Sequence, residues 1–113
     1  MITVLDLFST PLFSEFNLIS GKKGLYNQVT GTAILEHESF EDIDRTFEKG
    51  EFAMTTLSQA RNDPAYAEQQ VRYLIDYGVS AIAIKTVFYR DISDSLKEYS
   101  DEKGIPIFFF EKV

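Results

Sequence analysis

A run of hydrogen-bonding side chains follows a short apolar segment near the middle of the chain. The segment is "EFAM", residues 51–54, and the polar run after it comprises Thr55, Thr56, Ser58, Gln59, Arg61, Asn62 and Asp63. Such groups can bind a polar ligand, or they can hydrogen-bond to the backbone of an ordinary turn. Composition alone does not decide between these two interpretations.

A second polar group follows the apolar segment "VSAIAI", residues 79–84, which is typical of a strand buried on both faces. In an open parallel sheet, ligands bind outside the carboxyl ends of the strands. If the two strands are neighbours, their ends bring hydroxyl groups and an ammonium group to one rim. The candidate ligand-binding residues are therefore Thr55, Thr56, Ser58, Arg61, Lys85, Thr86 and Tyr89.

The positive groups of this rim indicate what kind of ligand it would bind. Charge-assisted hydrogen bonds are about twice as strong as neutral ones, so Lys85 and Arg61 suit an anionic or carbonyl-rich metabolite. The alternative is that the threonine hydroxyls cap the turns that follow the strands and bind nothing else.

The remaining candidates for chemistry are weak. The chain has no cysteine, which excludes a disulfide scaffold and a cysteine nucleophile and is typical of the reducing cytoplasm. His37 is the only histidine and lies between Glu36 and Glu38. A metal site there would need Asp42 or Asp44 as well, without the spacing of an EF-hand, so a solvated acidic loop is the favoured interpretation.

No catalytic or cofactor motif is present in the sequence. The segment "GKKG", residues 21–24, lacks the phosphate-binding loop pattern and is predicted to be a turn. One histidine and no nucleophile elbow give no support to a catalytic triad. The sequence therefore predicts a protein that is not an enzyme and has neither cofactor nor metal. A weaker alternative is an enzyme domain that uses the acidic residues between 36 and 44.

The charge balance argues against direct contact with nucleic acid. The net charge is −7, with 18 acidic and 11 basic residues, and the only adjacent basic pair is Lys22–Lys23. DNA and RNA binding depends on Lys and Arg that neutralise phosphates.

The apolar runs are also far shorter than the about 20 residues that a membrane span needs.

The length of 113 residues predicts one compact domain. A short helix is expected to begin with a capping box of Thr3 and Asp6 and to end at Pro11. Strands are predicted at residues 15–20 and 28–36. A helix is predicted at residues 39–49, with Phe40, Ile43 and Phe47 on one face.

The second half of the chain alternates strands and helices. Strands are predicted at residues 51–56, 79–85 and 105–110, and helices at 63–77 and 92–103, with Pro64 favouring the first helix start. Ile82 and Ile84 are expected in the core. The predicted fold class is α/β: a parallel-sheet βαβαβ half (residues ~51–110), preceded by a small helix and a two-stranded segment.

Five segments, in order, resemble the N-terminal domain of the PucR-type (purine catabolism regulator) bacterial transcription factors. They are "MITVLDLFSTPLF", "GKKGLYNQVTGTAILE", "EKGEFAMTTLS", "YLIDYGVSAIAIKT" and "EKGIPIFFF". The chain departs from the family pattern twice: Leu57 follows the two threonines where the family often has glycine, and "EHESFEDID" replaces an Ile-Pro-Asp stretch.

The resemblance implies a non-catalytic, effector-sensing domain of a regulator of purine or nitrogen-compound catabolism. It implies a cytoplasmic homodimer that binds a purine catabolite or a related anion. It also implies that DNA is bound through a C-terminal helix-turn-helix that this chain, a single domain over residues 1–113, does not contain. The alternative is a protein-interaction or dimerisation module without a small ligand, in which the apolar "IFFF" segment and the helix faces form the contact.

Overall fold

A computed structural model of the chain describes residues 2–35, 43 and 47–111. The first helix, α1, spans Val4–Phe8 and has the predicted capping box. The Asp6 N–H donates to the Thr3 hydroxyl (3.2 Å), and the Thr3 N–H donates to the Asp6 carboxylate (2.9 Å). Most of the helix predicted at 39–49 lies outside the described residues, although Ile43 and Phe47 are both buried.

In the part of the chain that the structure describes, five strands form a single sheet in the order β1-β5-β4-β3-β2. They are β1 (Asn17–Ser20), β2 (Gly31–Leu35), β3 (Glu51–Thr55), β4 (Ala81–Lys85) and β5 (Ile107–Phe110). Only β1 is antiparallel to its neighbour, and β2, β3, β4 and β5 run parallel. The predicted α/β class and the parallel βαβαβ half are therefore confirmed.

The two early strands are not paired with each other as one two-stranded segment. They lie at opposite edges of the sheet, because "GKKG" does not make a tight hairpin turn. Residues Lys22–Tyr26 form a 3-10 helix instead, and the chain continues from there to the far edge. Gly24 packs so closely on the Gly104 carbonyl that a Cβ atom would lie 2.0 Å from its oxygen.

Two helices of the described residues connect the parallel strands; both end where the sequence predicts, and the second begins at Asp94, slightly later than the predicted start at residue 92. Helix α2 spans Pro64–Tyr77, with the Asp63 carboxylate accepting from the Tyr66 N–H (3.1 Å) and Gly78 in the left-handed conformation at its end. Helix α3 spans Asp94–Lys103 and begins at Ser93, whose hydroxyl accepts from the Leu96 N–H (3.1 Å). No helix of the described ranges is long and apolar enough to cross a membrane.

The sheet has an apolar cluster on each face. On the face covered by α2 and α3, Ile82, Ile84 and Phe109 pack against the helices. On the face covered by α1 and the first loops, Phe52, Phe108 and Phe110 pack against Val4 and Phe16. Strand β5 is buried along its whole length. The "IFFF" segment therefore belongs to the core and is not an exposed contact surface, contrary to the alternative hypothesis.

Candidate functional site

Strands β3 and β4 are neighbours, so their carboxyl ends lie side by side. Thr55 is the register partner of Ile84 on β4. The β3–α2 loop and the β4–α3 loop therefore leave the sheet at the same edge. This is the edge at which ligands of open parallel sheets bind, and the predicted adjacency of the two polar groups is present.

The pleat of the sheet nevertheless separates Thr55 from Lys85. Successive side chains of a strand point to opposite faces. Thr55 follows Ala53 on the helix face, whereas Lys85 is the register partner of Phe110, which packs on the α1 face. The Lys85 ammonium and the Thr55 hydroxyl thus do not converge, and the proposed rim is divided between the two faces.

Thr55 supports the turn that follows β3. Its buried hydroxyl accepts a hydrogen bond from the Leu57 N–H (2.9 Å). Leu57 has a φ of 61° and is the only described non-glycine residue with a positive φ. A left-handed leucine is unfavourable in isolation, so the Thr55 hydroxyl and the burial of the Leu57 side chain both help to hold it. Leu57, at the position where the family often has glycine, thus adopts a backbone conformation that glycine adopts readily.

Tyr89 joins the two loops. Its hydroxyl donates to the Ala60 carbonyl of the β3–α2 loop. Within the same loop, the exposed Arg61 guanidinium donates to the Ser58 carbonyl (3.0 Å). The Thr86 N–H donates to the Phe110 carbonyl (2.9 Å), which continues the sheet past β4. Thr56 is half-buried just beyond the end of β3.

A cavity of about 80 Å³ lies between the two loops and α2, on the helix face; we call it the loop cavity. Apolar side chains make up most of its wall, and a few polar groups interrupt it. Its lining residues are Leu57, Pro64, Ala67, Glu68, Val71, Tyr89, Asp91, Ile92, Ser93 and Leu96. Of the seven candidate residues predicted from the sequence, only Tyr89 is among them.

The polar wall of the loop cavity is acidic. The Glu68 carboxylate accepts from the Ser93 N–H (2.8 Å) and from the Ser93 hydroxyl (2.6 Å), so it connects α2 to the start of α3. The Asp91 carboxylate accepts from the Ile92 N–H (2.8 Å) and pairs with the Lys97 ammonium at 3.1 Å. The Ile92 N–H and then Lys97 lower the pKa of Asp91, which is ionised at neutral pH.

The chain matches the model of the purine catabolism regulatory protein-like family over residues 6–113. It belongs to that family. A purine catabolism regulatory protein of Bacillus subtilis (strain 168) is 27% identical over 107 residues. This match covers 94% of the chain but 20% of the relative, so the chain spans about a fifth of the relative's length.

In this family member, three polar residues line the loop cavity but are not among the candidates predicted from the sequence: Glu68, Asp91 and Ser93. Ser93 is the N-cap of α3 and Asp91 precedes it closely, where a hydroxyl or carboxylate is common for capping reasons alone, whereas Glu68 lies beyond the first turn of α2. The sequence does place both helix starts after strands that are predicted to be parallel, and such helix starts lie at the ligand-binding edge of the sheet. Their convergence on one cavity, however, depends on how α2 and α3 pack together.

No group of three metal-ligating side chains that could hold an ion occurs in the described parts of the chain. The acidic segment with His37, Glu36, Glu38, Asp42 and Asp44 lies outside them. The metal hypothesis and the enzyme alternative built on that segment therefore stay hypotheses.

Proposed function

We propose that this domain is the non-catalytic, effector-sensing part of a cytoplasmic transcriptional regulator of purine or nitrogen-compound catabolism, with the effector bound in the loop cavity. The observation that supports this most is the position of the cavity. It lies at the carboxyl edge of β3 and β4, is mainly apolar, and has a few convergent polar groups, as small-molecule sites do.

The construction of the cavity suits a sensor, because two separate loops contribute to its wall. Leu57 belongs to the first loop, whereas Tyr89 and Asp91 belong to the second. A ligand that contacts both loops stabilises the arrangement in which they are close, and so shifts the population of that arrangement. In the longer protein, DNA would be bound by another part of the chain, consistent with the charge of −7 here.

The family name and the name of the relative provide the proposed chemistry of the effector. We propose purine catabolites and related nitrogen metabolites as the compounds to test. Thermal-shift measurements with purine bases and their breakdown products are the first experiment. At least one compound is expected to raise the melting temperature, since a ligand that binds only the folded state stabilises it.

A pair of variants of α2 locates the binding site. Ala67 is buried and lines the loop cavity, whereas Ala65 is exposed on the same helix. Ala67→Leu places a larger side chain in the cavity and should abolish the ligand-induced shift, while Ala65→Leu should retain it. A shift that survives Ala67→Leu, or the absence of any shift across the metabolites, would contradict the proposal.

A second candidate function is a protein-interaction or dimerisation module without a small ligand. Val87 and Phe88 favour it, because they are 54% and 44% exposed at the end of β4. Their contact would form a two-fold dimer, the commonest closed symmetry. Light scattering of the wild type and of the double variant Val87→Ser, Phe88→Ser tests this. Dimers in the wild type only, without any metabolite shift, would favour the module over the sensor.

A further inference from the structure

We infer that the loop cavity takes a small, uncharged ligand with N–H donors, such as a primary amide, and that Leu57 sets the size limit of that ligand. This inference rests on the proposed function, because it specifies the ligand class of the same site. It departs from the anionic ligand that the sequence suggested.

The first reason is size. The cavity measures about 80 Å³. An engineered protein cavity that binds benzene measures about 150 Å³. A six-membered ring therefore exceeds the space between the loops as they stand and would extend into solvent, whereas a compound of a few non-hydrogen atoms is held between them.

The second reason is that Leu57 is a fixed part of the wall. Its side chain is 2% exposed and its backbone is left-handed. Hydrogen bonds hold it on both sides: its N–H donates to the Thr55 hydroxyl (2.9 Å), and its carbonyl accepts from the Ala60 N–H (3.0 Å). The turn that carries Leu57 is thus held in place, and its buried side chain forms part of the cavity wall.

The third reason is the character of the polar wall. Two carboxylates, of Glu68 and Asp91, line the cavity, and the described lining residues include no lysine or arginine. An ionised carboxylate has about four acceptor sites, of which the hydrogen bonds above use two in each case. The remaining sites accept N–H groups and repel anions.

Other groups of the protein already stabilise the negative charge of these two carboxylates. Glu68 accepts from the N–H at the beginning of α3, where the helix dipole is positive, and Asp91 pairs with Lys97. A cationic ligand is therefore not required. The Lys85 ammonium lies on the opposite face of the sheet and is not available to an anion here.

Amide-proton NMR spectra of the wild-type chain titrated with acetamide, benzamide and acetate test the ligand class. Acetamide and benzamide share a carboxamide and differ in whether they carry a ring. Acetamide is expected to shift the signals of Leu57 and of residues 89–93. Benzamide is expected to bind at least about ten-fold more weakly, as judged from the same signals. Acetate should shift none of them. Equal binding of the two amides, or preferential binding of acetate, would overturn the inference.

Leu57→Gly tests the size limit, because glycine adopts the left-handed conformation and removes the side chain. Benzamide should bind this variant at least about ten-fold more tightly than the wild type. Leu57→Asn also tolerates that conformation and gives a second test should the glycine variant fail to fold. Leu7→Ala truncates a leucine on the α1 face and should leave benzamide binding unchanged.

The outcomes separate this inference from the proposed function. If benzamide gains nothing in the Leu57 variants, Leu57 does not set the limit. If acetamide leaves the loop signals unchanged while a purine metabolite shifts them, the ligand class is wrong and the sensor hypothesis stands. If neither acetamide nor any metabolite shifts those signals, both proposals fail.

Discussion

At the scale of single residues, the turn after β3 depends on the buried hydrogen bond from the Leu57 N–H to the Thr55 hydroxyl. Thr55→Val keeps the shape of the side chain but leaves that N–H without an acceptor. We expect it to lower the free energy of unfolding by about 1–3 kcal/mol in urea denaturation. Thr55→Ser keeps the hydroxyl and should lower the free energy of unfolding much less. Equal losses in the two variants would show that the hydroxyl does not matter.

The buried side-chain amide of Gln70 is expected to lower the stability of the fold. It lies on α2 with 1% exposure, and neither its Nε2 nor its Oε1 has a hydrogen-bond partner in the structure as described. Burying an amide in this way is costly, so Gln70→Met should raise the free energy of unfolding by about 1–3 kcal/mol. The exposed neighbour Gln69 offers a control, since Gln69→Met should change it by less than about 0.5 kcal/mol. A loss of stability in Gln70→Met would mean that ordered water satisfies the amide.

Residue patterns also show how much of the site the sequence can reveal. The turn function of Thr55 was one of two interpretations open from the sequence, and the structure shows that hydrogen bond. The separation of Thr55 from Lys85 follows from strand alternation once the register is known, but one sequence does not give the register. Glu68 and Ser93 meet across two helices, which no local pattern encodes.

At the scale of elements, β4 is the central strand, and it is covered on both faces. Ile82 is fully buried, whereas Ile34 on the edge strand β2 is 61% exposed. Ile82→Ala should lower the free energy of unfolding by about 2–5 kcal/mol, because it leaves a cavity in the core. Ile34→Ala makes the same truncation at the surface and should cost less than about 0.5 kcal/mol. Similar losses from the two substitutions, measured by denaturant unfolding, would be incompatible with this sheet order.

The helices and strands of the second half were predicted well because each carries its own boundary signal. Asp63 and Pro64 begin α2, Gly78 ends it, and β4 reads as a continuous apolar run. The position of β2 was not predicted, because strand pairing depends on the path of the connecting chain. Its alternating burial is equally compatible with antiparallel pairing to β1 and with the parallel pairing to β3 that the structure shows.

At the scale of the whole molecule, the net charge of −7 predicts that the domain binds DNA only weakly. Phosphate contacts contribute most of the affinity for duplex DNA, and this domain has few basic groups to provide them. Fluorescence anisotropy with labelled duplex DNA should show no sub-micromolar complex at physiological salt. A salt-sensitive complex in that range would mean that the domain contacts DNA itself.

Binding of the effector between the β3–α2 and β4–α3 loops is tested most directly by a chemical-shift map of the wild-type domain. Backbone amide spectra would be recorded with each purine catabolite in turn. We expect an effector to shift the signals of Leu57, Ala67, Glu68 and residues 89–93, and to leave those of α1 and β1 unchanged. Shifts confined to Lys85 and the α1 face, or no shift with any compound, would contradict it.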